Sequence, residues 1–368
     1  MADPPPIPDM LPTLRVDSLT GREVIVAANR SHRPIQARDA NTPQTETYDP
    51  FLEGHEHDTP NESLALRRTD SNPNQPGWLL RVVPNRYPAV VQPTVTTASP
   101  SESKSEKPAN GVHEVVIECP DSRTSLAEFS VTEVARVLTA WQLRYRTLTE
   151  LPEIKAINIF RNEGAMAGAS LAHCHSQIIA SCFKNRVAEM RALTEEDFEK
   201  LHMPRPPFQL WLEQEISDGN RILNTDEGLV VCCPFASRVA WHVRFCPIVA
   251  EQASLHDFGT LSSGQVGQLA ARVLSVVRAL RTIHGEVAFN LLLTVPPVGR
   301  PGQFPWMLDL MPRTSHFAGF ELLSGMDIIT TAPEDAAARL RDVVQWQSRS
   351  QSDDEEALCP ANYEWKVG

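Results

Sequence analysis

Two histidines one residue apart stand in the run His173-Cys174-His175-Ser176-Gln177, just after a segment built mainly from glycine and alanine. A neutral imidazole offers a lone pair near pH 7, because its ordinary pKa is about 6.5; such a pair can attack an electrophile, move a proton or ligate a metal. On a strand, alternate residues share a face. His173, His175, Gln177 and Ile179 then point one way, and Ala172, Cys174, Ser176, Ile178 and Ala180 point the other, toward a core. The preceding loop, Asn162-Glu163-Gly164-Ala165-Met166-Ala167-Gly168-Ala169-Ser170, has few side chains to keep a phosphate away from backbone N–H groups. The H-x-H spacing alone carries little weight, since the chain holds 11 histidines and His55 with His57 forms a second such pair. A polar strand face of hydrogen-bonded histidines is the plain alternative. The fixed order of small-residue loop, Ser170, two histidines and a glutamine sets the first pair apart.

Positioning that strand requires a sheet and something to pack on it. A strand over Val115 to Glu118 leads to a helix opening near Ser130, where Ser130 and Glu133 form a capping-box pattern. Val134, Val137, Leu138, Trp141 and Tyr145 follow at helical spacing. The pattern recurs weakly downstream: a strand Val243 to Cys246, then Ser262 with Gln265, then Val266, Leu269, Val273, Val276 and Leu280, with Gly285 as the stop. A β-like run follows each helix, Ile154 to Phe160 and Val287 to Val295. Aligned at the final strands, His173 falls opposite Pro305, His175 opposite Met307 and Gln177 opposite Asp309, so the chemistry stays in the first copy. Strands that return after a single helix predict an α+β fold, antiparallel sheets with helices packed on one face.

The pattern divides the chain into an N-terminal domain over 15–203, a C-terminal domain over 208–347 and an acidic tail over 348–368. Pro204 to Pro207 read as the hinge between domains, and 92–110, nearly free of bulky apolar residues, as a mobile loop. No apolar run is long enough for a transmembrane helix, and Met1 to Pro12 lacks the basic and apolar regions of a signal peptide. Seven cysteines without disulfide-like spacing predict a reducing, cytoplasmic setting. A net charge of −12 argues against nucleic-acid and anionic-membrane partners, which would be repelled. A small anionic substrate remains open, provided local cations oppose that field.

The segment NEGAMAGASLAHCHSQ resembles the active-site segment of the hexose-1-phosphate (galactose-1-phosphate) uridylyltransferases and the related ADP-glucose phosphorylases, within the histidine-triad superfamily. ANRSHRP (Ala28 to Pro34) is similar to the family's phosphate-binding segment, and VVPNRYPAV (Val82 to Val90) to its nucleotide-contacting segment. DPFLEGHEHDTP looks like its N-terminal metal-binding loop, and AGFE (Ala318 to Glu321) like its hexose-contacting turn. The resemblance covers most of 20–347 in order and implies tandem histidine-triad-like domains.

It also implies that His175 attacks the α-phosphorus of a nucleotide sugar, giving a nucleotidyl-histidine and ping-pong kinetics. Gln177 replaces the third histidine of hydrolytic members. Glutamine donates a hydrogen bond to a phosphoryl oxygen but delivers no proton, which favours transfer over hydrolysis. The family pattern gives Ser170 and the backbone near Gly168 the phosphates, with Arg30 and Arg33 neutralising them. Asn85 and Asn162 would contact ribose or base, Tyr87 would stack on the base, and Glu321 would take sugar hydroxyls. The bland readings are a solvated loop for the arginines, a core aromatic for Tyr87 and a plain surface carboxylate for Glu321.

The chain departs from the family at zinc. The expected cysteine pair reads Asp49 and Leu52, the expected histidine after Pro120-Asp121 reads Ser122, and only His173 of that set remains. There is no C-x-x-C, and Pro305 stands where a second site has histidine. No zinc cofactor is expected at either site, and His173 is left as a support for its neighbours or a polar strand residue. His113, His55 and His57 could form an unrelated metal site. The leading reading is transfer of UMP from UDP-glucose to a hexose 1-phosphate such as galactose 1-phosphate. The alternatives are an adenylyltransferase of the ADP-glucose phosphorylase type, and a catalytically retired nucleotide-binding protein. Partners would be a nucleotide sugar and a sugar phosphate, and the resemblance implies a homodimer.

Overall fold

The computed structural model describes residues 11–28, 48–92, 108–200, 205–226, 228–248, 257–300, 304–346 and 358–368; the side chains of 193–195 and 197–200 are outside the description. The strands are β1 (Thr13–Val16), β2 (Glu23–Val26), β3 (Leu64–Arg68), β4 (Trp78–Pro84), β5 (Gly111–Ile117), β6 (Ala156–Glu163) and β7 (His175–Ser181). They continue as β8 (Ile222–Asp226), β9 (Leu229–Cys232), β10 (Val243–Pro247), β11 (Phe289–Thr294), β12 (Met307–Pro312), β13 (Asp327–Ile329) and β14 (Tyr363–Val367). The helices are α1 (Val131–Thr149), α2 (Arg186–Lys200), α3 (Pro207–Asp218), α4 (Ser263–His284), α5 (Gly319–Ser324) and α6 (Pro333–Val343).

Eleven strands form one antiparallel sheet in the order β14-β3-β4-β5-β7-β6-β11-β12-β10-β9-β8, and β1-β2-β13 form a small second sheet. The large sheet contains the repeat expected from sequence. Strands β3, β4, β5, β7 and β6 on one side match β8, β9, β10, β12 and β11 on the other, and the copies meet where β6 pairs with β11. The boundary expected near 203–208 therefore does not interrupt the sheet. Helices α1 and α4 occupy equivalent places, and both capping boxes form, Ser130 with Glu133 and Ser262 with Gln265. The expected apolar residues of both helices are buried against one sheet face, together with Ile157, Ile159, Ile178, Leu291, Leu293, Leu308 and Leu310. Strand alternation leaves His175, Gln177, Phe160, Leu292, Asp309 and Arg244 on the opposite face. At the far end of that face, Phe208, Trp211 and Leu212 of α3 pack with Leu19 over Val230, Cys232, Cys246 and Met307.

Two expectations need correction. The stretch read as an acidic tail contributes β14, which pairs antiparallel with β3. Its alternation of Tyr363, Trp365 and Val367 with Glu364 and Lys366 suits an edge strand, and Tyr363 and Trp365 pack on the core. In the proline run read as a hinge, Pro206 caps α3 and Pro207 opens it, because a ring with fixed φ and no N–H suits the first helical turn. Residues 93–107, the bulk of the loop read as mobile, lie outside the described residues. Among the described residues, no helix is long and apolar enough to cross a membrane.

Candidate active site

His175 opens β7, just as Met307 opens β12 in the other copy, so the alignment of the two copies holds at that position. The His175 imidazole is 6% exposed, and its Nδ1 lies 2.7 Å from the His173 carbonyl oxygen. A carbonyl oxygen only accepts, so Nδ1 carries the ring proton and Nε2 carries the lone pair. Burial pushes the His175 pKa below its ordinary value; the bond to His173 opposes this, and the nearby Arg161 cation adds to it. The ring is therefore neutral and nucleophilic at pH 7. Phe51 packs edge-on against both histidines, with ring centroids 5.5 Å from His175 and 5.8 Å from His173.

His173 has a definite supporting role. Its Nδ1 lies 2.8 Å from Asp49 Oδ2, and its Nε2 lies 2.9 Å from the Cys119 carbonyl oxygen. Both neighbours only accept and a neutral imidazole has one N–H, so the ring donates to one of them and sits against the other, which holds the residue whose carbonyl orients His175. Asp49 is held in turn: its Oδ1 accepts the Phe51 N–H, and its carbonyl accepts His55 Nδ1 at 2.7 Å. At the expected zinc site Leu52 offers no ligand, and the Asp49 carboxylate is engaged with His173 Nδ1. His55 stacks on Tyr48 while His113 belongs to the network around Gln177, and the described residues contain no cluster of three metal-ligating side chains.

Behind the strand, on the helix side, Arg161 is buried between Glu118 and Glu163 and reaches Cys174 Sγ at 3.2 Å. Glu163 also accepts Ser125 Oγ at 2.8 Å and the Leu126 N–H at 2.9 Å, so it ties the end of β6 to the turn before α1. The Trp141 indole donates to Ser176 Oγ at 2.8 Å and locks β7 to α1.

Gln177 and Asn162 lie on the same face as His175. Phe160 pairs with Gln177 across β6–β7, and Asn162, two residues on along β6, shares that face and pairs with Asn290 of β11. The Gln177 Oε1 lies 2.9 Å from His113 Nε2, and Asn162 Oδ1 accepts Asn290 Nδ2 at 2.8 Å. Asn85 follows β4 and places its Nδ2 3.1 Å from His113 Nε2, while its Oδ1 takes the Tyr87 N–H. The Tyr87 ring is 83% exposed, so its reading as a core aromatic is excluded. In the small-residue loop, Gly164 has φ +80°, and a Cβ there would come within 2.7 Å of Ala288 Cβ; this glycine lets the two copies approach. Gly168, at φ +88°, closes the short turn over 165–167 beside Asn162.

Ser170 is exposed and lines a cavity of about 630 Å3 with Ser125, Glu163, Met166, Val277 and Arg281; His175 is not part of that lining. Glu321 accepts the Ala318 N–H at 3.0 Å and so caps α5. Arg30 and Arg33 lie outside the described residues. Sequence reading missed His113 and Asn290 as supports and saw Asp49 only as a lost cysteine. The partners are 64, 128 and 124 positions apart, and only strand register and loop closure join them.

Comparison with known proteins bears on this geometry. Residues 7–184 match the family model described as galactose-1-phosphate uridyl transferase, N-terminal domain. The chain is 26% identical over 341 residues to the ADP-glucose phosphorylase of Arabidopsis thaliana, covering 90% of this chain and 93% of that protein. It is 27% identical over 342 residues to the galactose-1-phosphate uridylyltransferase of Thermotoga maritima, covering 89% and 98%. The crystal structure of an Arabidopsis thaliana ADP-glucose phosphorylase with bound ADP-glucose matches with a TM-score of 0.73 at 26% identity, over 91% of this chain and 100% of that one.

Proposed function

We propose, on the premise that the chain belongs to the galactose-1-phosphate uridylyltransferase family, that it is a nucleotidyltransferase working through a covalent nucleotidyl-His175. The observation that carries this is the His175 tautomer: Nδ1–H is committed to the His173 carbonyl, and Nε2 is left with its lone pair on the sheet face opposite the helices. In the first half-reaction, Nε2 bonds to the α-phosphorus of the nucleotide sugar. The bond from that phosphorus to the bridging oxygen breaks, and the oxygen leaves with the electron pair as hexose 1-phosphate. The leaving group needs no proton, since a phosphate monoester's second pKa is about 6. In the second half-reaction, an oxygen of a phosphorylated acceptor attacks the same phosphorus, the P–Nε2 bond breaks and neutral His175 returns. Gln177 and Asn162 donate to the bound nucleotide but move no proton. The scheme uses no resident zinc, a reading supported by Leu52, which has no ligand atom, and by Asp49, whose carboxylate is engaged with His173.

The first pair of substrates is UDP-glucose and galactose 1-phosphate, a reading supported by the matching family model. A second reading, ADP-glucose with inorganic phosphate as acceptor, is supported by likeness to an ADP-glucose phosphorylase along 93% of its length and to a structure holding ADP-glucose. Parallel assays of the purified chain with each nucleotide sugar decide between them. Hexose 1-phosphate release with parallel-line ping-pong kinetics is expected from one donor. Release from neither refutes the transfer reading.

A further inference from the structure

A carboxamide has nearly the same shape whichever way it is turned, so only its hydrogen-bond partners decide whether oxygen or NH2 faces a ligand. At Gln177 and Asn162 that decision traces back to backbone groups whose roles are fixed. The Ala89 N–H can only donate, and it lies 3.0 Å from His113 Nδ1. Nδ1 is therefore the acceptor, and the ring proton sits on Nε2. Nε2–H points to Gln177 at 2.9 Å, so the Gln177 atom there is the oxygen and its NH2 is turned away. Asn85 Nδ2, 3.1 Å from the same Nε2, makes a contact between two donors and does not compete for that proton. On the other side, the Ala167 carbonyl can only accept, and it lies 2.9 Å from Asn290 Nδ2. That nitrogen also faces Asn162 at 2.8 Å, so the Asn162 atom there is the oxygen. Among the described residues, neither the Gln177 Nε2 nor the Asn162 Nδ2 has a hydrogen-bond partner of its own.

We propose that His113 and Asn290 are positioning residues that clamp both site carboxamides by their oxygens, so that only N–H groups face the bound nucleotide. The inference rests on the nucleotidyl-transfer reading for its ligand. One clamp comes from β5 of the first copy and the other from β11 of the second. The catalytic strand is thus tuned from both sides, and Asn290 gives the second copy a part in the site although it carries no nucleophile. An oxygen turned toward a phosphoryl group would repel it, whereas a donor attracts it.

The two ends of His113 can be tested separately, because an asparagine amide reaches about as far as Nδ1 and a glutamine amide about as far as Nε2. His113→Asn keeps an acceptor for Ala89 but loses the donor to Gln177; His113→Gln does the reverse. Two readouts serve, the rate of nucleotidyl-protein formation and the ratio of nucleoside to nucleoside monophosphate dissociation constants, using uridine with UMP and adenosine with AMP. The clamp predicts that His113→Asn lowers both by about tenfold and that His113→Gln recovers most of the loss. Asn290→Asp, which puts an acceptor against the Asn162 oxygen, lowers the ratio by a similar factor. The opposite order for the two His113 variants, equal losses in both, or a ratio unmoved by Asn290→Asp overturns the clamp. A wild-type chain that binds UMP or AMP but forms no adduct refutes the transfer reading alone, and the ratio still judges the clamp. A chain that binds neither nucleotide refutes both.

Discussion

The Nδ1 proton of His175 is fixed by a backbone carbonyl, and that carbonyl belongs to a histidine set between the Asp49 carboxylate and the Cys119 carbonyl. An imidazole held this way spends little time misaligned, and in the proposed attack an error of about 1 Å can slow the reaction by about a hundredfold. Replacing Asp49 by alanine releases one edge of His173. It is expected to slow nucleotidyl-protein formation by about tenfold while leaving the UMP or AMP dissociation constant near its wild-type value. Stopped-flow rates alongside calorimetric affinities check this, and equal loss in both would show that Asp49 serves binding instead. The pH dependence follows from burial. Because His175 titrates below about 6.5 in the folded chain, the single-turnover rate should stay level through neutrality and fall only on the acid side of that value. An acid limb centred above pH 7 contradicts the assignment. That His175 and Gln177 share one strand face could be read from sequence, because alternate residues of a strand do. His113, Asn290 and Asp49 could not, because nothing local records which strand lies beside which.

The helices that hold the strand were legible in detail. Each opens on a serine with a glutamate or glutamine three residues on, and each shows an apolar stripe at helical spacing, both purely local signals. Removing the Ser130 cap with Ser130→Ala should cost about 1 kcal/mol, read as a shifted denaturation midpoint with an unchanged slope. Strand β14 was missed because the acidic run at 353–356 dominates the composition there, while the alternation from Tyr363 onward is only five residues long. Ending the chain at 357 would uncover β3 as an edge strand. That truncation should lower the thermal midpoint and promote self-association, and light scattering beside a melting curve would detect both. The role of Pro207 was misread because a proline opening a helix and a proline in a linker look alike in sequence.

Across the whole molecule, two α+β units share a sheet, and they differ in the residues at equivalent strand positions. Where the first copy has His175 and Gln177, the second has Met307 and Asp309, and Asp309 is locked by Arg244 at 2.7 Å and His242 at 3.1 Å. Burial lowers the His242 pKa although the neighbouring carboxylate raises it, and His175 is lowered as well. Both therefore take up a proton more readily when unfolded. Between their folded values and about pH 6.5 the unfolded chain binds more protons, so their contribution to stability is complete above 6.5 and is lost as pH falls below it. A thermal midpoint that drops between pH 7 and 5 fits this, and a flat profile there does not. The repeat was visible in sequence as paired caps and stripes; the joining of β6 to β11 was not, because pairing between distant copies leaves no local signature.

The most direct measurement of the central claim is the intact mass of the chain after brief exposure to UDP-glucose or ADP-glucose. We expect one added nucleoside monophosphoryl group, acid-labile and base-stable, located within His173 to Gln177, and absent from His175→Asn. No added mass with either donor, or the same addition in His175→Asn, would contradict it.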